Sequence, residues 1–182
     1  MTKMIDLDHS STIERASNIK VGLKELFPMT KILLAIDDSE FAEAATAAVV
    51  REFRPLESEV NVLHVVDPLR LAPPGTGFGV GPSVPADFAG PIEEWLDHAE
   101  LLVSKTAKAL ESAGFRVNTS VREGHVKSEI LKFAEEWRPD VIIMASHGSK
   151  RSERFLLGSV TEAVMRHAPC SVQIVRAGRH AA

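Results

Sequence analysis

Short apolar runs and amphipathic stretches alternate along most of the chain. Lys31–Ile36 is almost wholly apolar and ends in Asp37-Asp38-Ser39. The stretch from about Glu40 to Phe53 follows, with Ala42, Ala45, Ala48 and Val49 on one helical face. Val60–Val66 is the next strand-like run, Arg116–Arg122 alternates as a less buried strand does, and Val141–Ala145 is apolar throughout. Val172–Val175 closes the series. Two helical patterns fall between these later runs: Val126–Trp137, with Val126, Ile130, Phe133, Ala134 and Trp137 on one face, and Phe155–His167. Continuous apolar runs of this length suit strands buried on both faces, and strands interleaved with amphipathic helices predict a parallel sheet covered on each side. With right-handed crossovers the fold class is α/β, a doubly wound open sheet.

Two segments stand outside this rhythm. Between Ser11 and Phe27, Ile13, Ala16, Ile19, Leu23 and Leu26 recur at three- or four-residue steps, an amphipathic helix with a capping-box spacing at Ser11 and Glu14 and a stop at Pro28. Residues 1–28 therefore read as a helical extension, 29–178 as the main domain and 179–182 as a tail. The second segment, Pro68–Gly90, carries five Gly and five Pro without periodicity, ahead of a long helix from near Pro91 to Ser112. Its Gly75–Gly81 run looks superficially like a phosphate loop. A dinucleotide fingerprint must join a strand directly to a helix, and here prolines intervene, so the segment reads as a loop.

Composition narrows the function classes. Twenty-one Lys+Arg against 25 Asp+Glu give a net charge of −4, and 8 Phe, 2 Trp and no Tyr leave little for a base-stacking platform. Both argue against a nucleic-acid binder. A single cysteine, Cys170, excludes an intramolecular disulfide and fits a small buried apolar role in a reducing cytoplasm. No apolar run approaches the ~18–20 residues of a membrane span, and Met1–Leu26 lacks the apolar stretch of a signal peptide.

In a doubly wound sheet, ligands bind at the carboxyl ends of the strands where the strand order reverses. Two such ends carry chemistry. After the first run, Asp38 or Ser39 would cap the following helix, leaving Asp37 to face a crevice and accept hydrogen bonds. After the fourth, Met144-Ala145-Ser146-His147-Gly148-Ser149 is followed by Gly158-Ser159 near a helix start. There, unpaired N–H groups, a hydroxyl and the positive helix end suit an anion. Lys150, Arg151 and Arg154 add positive charge between them. No Ser–His–Asp or Cys–His arrangement is legible around His147, and the seven His show no zinc-site spacing.

From Lys31 to Arg176 the chain resembles a universal stress protein domain. That family's signature is Gly, two residues, Gly, nine residues, then Gly-Ser or Gly-Thr. Here it reads Ala145, Ser146-His147, Gly148, Ser149–Leu157, Gly158-Ser159. Flanking matches are Ile32–Asp37 with Ser39-Glu40, His64–Asp67, Leu156–Val160 and Arg166–Cys170. The resemblance implies a five-stranded sheet in the order 3-2-1-4-5 and an adenine-nucleotide site. Ala35, Asp37 and Val65 would surround adenine and ribose, and Met144, Ala145, Gly148, Gly158, Ser159 and Val160 would line the ribose and phosphates. It implies ATP, or ADP or AMP, with Mg²⁺ or Mn²⁺ held through the phosphates. It also implies a cytoplasmic regulatory protein of the stress response, with an unidentified protein partner. The protein would be a homodimer joined through the edge strand Ser171–Arg176. A nucleotide-free dimeric interaction module and a slow ATP-hydrolysing enzyme are the alternatives. Ala145 replaces the signature's first Gly, and its methyl costs little at negative φ but strains the chain at positive φ.

Overall fold

The computed structural model describes residues 29–68, 89–146 and 157–176. Within them β1 (Thr30–Ile36) leads through α1 (Glu40–Glu52) and a 3₁₀ turn (Pro55–Glu57) to β2 (Ser58–Val66). Next, α2 (Ala89–Ser112) precedes β3 (Arg116–Glu123), and α3 (Val126–Trp137) precedes β4 (Val141–Ala145). Finally α4 (Ser159–His167) leads to β5 (Ser171–Val175). The five strands form one all-parallel sheet in the order β3-β2-β1-β4-β5. Winding runs outward from β1 to β3 in one direction and through β4 to β5 in the other, so the switch point lies between β1 and β4. The predicted extension helix Ser11–Phe27, most of Pro68–Gly90 and the tail lie outside the described residues.

Side-chain alternation sorts the core into two layers. On one face Ile32, Leu34, Ile36, Val60, Val62 and Ile143 meet Ala42, Ala45 and Val49 of α1 and Val103 and Leu110 of α2. On the other, Leu33, Ala35, Leu63, Val65, Ile142 and Met144 meet Ile130, Phe133 and Ala134 of α3 and Val164 of α4. Leu33 and Leu34 are both completely buried, which is why β1 reads as a continuous apolar run rather than an alternating one.

The helix ends follow from local chemistry. Gly114 takes φ +91 just after α2, and the bonds Phe115 N–H to Leu110 O (3.1 Å) and Gly114 N–H to Glu111 O (2.8 Å) close a Schellman motif. α2 begins at Ala89, two residues ahead of the expected start; Pro91 sits in its first turn, where a missing N–H costs nothing. The start of α4 corrects the sequence pattern, which ran the helix back to Phe155. Leu157 and Gly158 are not helical, because the Gly158 N–H donates to Ser146 O at 3.0 Å and ties the chain to the end of β4. Helix geometry begins only at Ser159.

Candidate functional site

The register sets Ala35 beside both Leu63 and Met144, bringing the carboxyl ends of β1, β2 and β4 level with one another. A cleft of about 410 Å³ opens above them. Its floor is Ala35, Ile36, Leu63, Val65, Met144 and Ala145; α3 contributes Val126 and Ile130, and Gly158 with the first residues of α4, Ser159 to Thr161, closes the far end. Ala42 of α1 and Trp95 and His98 of α2 complete the walls, with Asp37, Asp38, His64 and Asp67 supplying polar groups. Eight residues singled out from the sequence (Ala35, Asp37, Val65, Met144, Ala145, Gly158, Ser159 and Val160) thus meet around one cavity. Gly148, with His147, Lys150, Arg151 and Arg154, lies outside the described residues.

The polar groups are organised differently from the expectation. Ser39 occupies the N-cap position of α1, yet its hydroxyl does not cap the helix. It donates to Asp37 Oδ1 at 2.6 Å. Asp38 does not cap either: its Oδ2 lies 3.0 Å from His98 Nε2, joining the β1–α1 turn to α2. His64 Nδ1 lies 2.9 Å from Ile36 O. A carbonyl can only accept, so this ring nitrogen carries the proton.

At the opposite end, α4 is fastened to β4 twice, through Gly158 N–H to Ser146 O and Thr161 Oγ1 to Ala145 O at 3.1 Å. The Gly158 N–H is therefore spent, contrary to the expectation that it would be unpaired. Glu162 N–H closes the first turn on Gly158 O at 2.9 Å. The N–H groups of Ser159, Val160 and Thr161 precede that bond and have no intrahelical acceptor. They are the anion-attracting feature of the cleft, reinforced by the helix dipole. Ala145 carries no strain, since Arg138 is the only non-glycine residue with positive φ among those described.

Sequence reasoning missed Trp95, His98, Asp67 and Thr161 as lining residues. Asp67 follows an apolar strand just as Asp37 does, so that signal was present. Trp95 and His98 offered none, because their place depends on how α2 lies across the sheet. Among the described residues no cluster of three or more His, Cys, Asp or Glu could hold a metal ion. Cys170 is half-buried against the α3–α4 layer, and burial together with the Asp140 carboxylate holds its thiol above the ordinary range. It is not a poised nucleophile.

Comparison with known proteins agrees with this architecture. A profile of the universal stress protein family matches residues 29–176. Universal stress protein MJ0577 of Methanocaldococcus jannaschii is 35% identical over 154 residues, covering 80% of this chain and 94% of that protein. The solved structure of MJ0577 superposes with a TM-score of 0.71 at 32% identity, covering 82% of this chain and 97% of that one. Two more distant structures share the fold. One is a universal stress family protein from Arabidopsis thaliana with AMP bound (17% identity, TM-score 0.57, 84% of this chain and 94% of that one). The other is the universal stress protein from Archaeoglobus fulgidus in complex with dAMP (21% identity, TM-score 0.56, 80% and 97%).

Proposed function

We propose that this chain, which belongs to the universal stress protein family, binds an adenine nucleotide in the cleft, ATP foremost and ADP or AMP as alternatives. The observation that carries the reading is the convergence of eight sequence-matched residues on one cavity that ends at the start of α4. Its volume of about 410 Å³ falls in the usual range of small-molecule sites, roughly 300–1,000 Å³. Base and ribose would lie over Ala35, Asp37 and Val65. Phosphates would lie against Met144, Ala145, Gly158, Ser159 and Val160, with Gly148 adding to that end. The fold relatives bound to AMP and dAMP support the same ligand class. Mg²⁺ or Mn²⁺ would enter with a triphosphate, held by its oxygens and water as such ions normally are. Membership of the family favours a regulatory role in the stress response, in the cytoplasm, over dedicated turnover. Mass spectrometry of the purified protein and calorimetric titration with ATP test this. Co-purified adenine nucleotide and saturable binding are expected; neither would be seen for a nucleotide-free interaction module.

Ala145 gives a finer test. Its strand backbone accommodates a methyl group, so Ala145→Gly should leave ATP affinity unchanged in calorimetry. The same change should lower stability by about 0.5–1 kcal/mol, as glycine within a strand does. A clear gain in affinity would show that the methyl obstructs the ligand.

The reading includes a homodimer through β5. In a parallel pair each residue sends its N–H and C=O to one side, alternating along the strand. Ser146 N–H bonds Val175 O at 2.8 Å, so Ser171, Gln173 and Val175 face β4. The backbone groups of Val172 and Ile174 consequently face outward. β5 has neither charge nor proline from Ser171 to Val175, whereas the other edge, β3, bears Arg116, Arg122 and Glu123. Charges blunt an edge against pairing, which favours β5 as the joining strand.

A further inference from the structure

One wall of the cleft comes from no motif. Trp95, His98 and Leu102 recur at three- and four-residue steps and therefore share a face of α2. Leu102 packs into the α1–α2 core layer, His98 reaches Asp38, and Trp95 and His98 line the cleft. A single helical face thus runs from the core to the rim and sets a half-buried indole at one end of the cavity. The cleft is polarised from end to end. α4 packs against α3 and β5, on the β4 side of β1, while α2 packs against β2 and β3 on the opposite side. A ligand lying across the end of β1 would meet backbone N–H groups with one end and an aromatic ring with the other.

We propose, resting on the nucleotide reading above, that Trp95 contacts the base of the bound nucleotide and stacks on it, so that the site selects ligands carrying an aromatic base over phosphate alone. Stacking of this kind is a substantial, face-directed contribution for a large ring. The experiment uses the full chain and the protein's two tryptophans. Trp137 lies beneath Lys31 Nζ, 4.4 Å from the ring centroid, at the start of β1 and far from the cleft. In the Trp137→Phe protein Trp95 is the sole indole, and its emission should change saturably with ATP at the calorimetric Kd. Trp95→Ala should weaken ATP about tenfold, and Trp95→Phe should recover most of that. Inorganic tripolyphosphate, which has no base, should bind Trp95→Ala and the unmodified protein alike. Calorimetric ATP binding with a silent Trp95 and undiminished affinity in Trp95→Ala would overturn this inference and leave the nucleotide reading intact. An equal loss for tripolyphosphate would overturn it as general distortion. Absence of ATP binding to the unmodified protein would overturn both.

Discussion

Gly158→Val is expected to abolish ATP binding in a protein that still folds. Gly158 has φ −59 and ψ 146, an extended conformation that a β-branched residue adopts readily. The backbone therefore does not require glycine, and losing a glycine N-cap should cost only about 1 kcal/mol. What the substitution changes is the space in front of α4. A branched side chain at the N-cap stands beside the N–H groups of Ser159 and Val160 and prevents an anion from approaching them. Removing that end of the ligand should reduce affinity at least about a hundredfold, or roughly 3 kcal/mol. Calorimetry reads the loss and thermal unfolding provides the control; Gly158→Ala, with only a methyl, should fall between. A folded Gly158→Val protein that binds ATP normally would remove α4 from the site.

Ile174→Pro should turn the proposed dimer into monomers, with the sheet retained. The backbone groups of Ile174 face away from β4, so proline removes an N–H only from the free edge. A two-fold contact is self-complementary, and one substitution removes donors from both subunits. Gln173→Pro makes the contrast. Its N–H faces β4, and its side chain also donates to the Glu52 carboxylate of α1, so this variant should lose stability as well as association. Light scattering with denaturant unfolding separates the two effects. A wild-type protein that is a clean monomer at micromolar concentration would refute the dimer altogether.

β1, β2 and β4 were legible because burial on both faces leaves an almost unbroken apolar run, and both core layers follow from them; the edge strand β3 showed only as an alternation. β2 nevertheless begins at Ser58 rather than Val60, since parallel pairing with Thr30 and Lys31 recruits two polar residues that no hydropathy pattern marks. The helix at Phe155 was overextended for a similar reason: apolar periodicity continues through Leu157, while one backbone hydrogen bond from Gly158 decides where the helix starts. In the cleft, residues adjoining strand ends were readable because strand order dictates where those ends lie. The α2 wall was not, because the same Trp95 and His98 would serve a helix rotated or slid against the sheet. Likewise, the choice of Ser39 to donate to Asp37 rather than cap α1 is settled by turn geometry, and residue type alone allows either.

Ser146 is buried and stands between the two ends of a short backbone relay: its N–H reaches Val175 O in β5 and its O receives the Gly158 N–H. Two hydrogen bonds in series therefore form a mechanical tether between the outermost strand and the first turn of α4. Tension applied at the edge strand has only one residue to cross before it pulls on the end of the cleft proposed for the phosphates, with no side chain needed to transmit it. Thermodynamic reciprocity fixes what such a tether does in a dimer that binds nucleotide: whatever factor ligand adds to subunit affinity, association adds to ligand affinity.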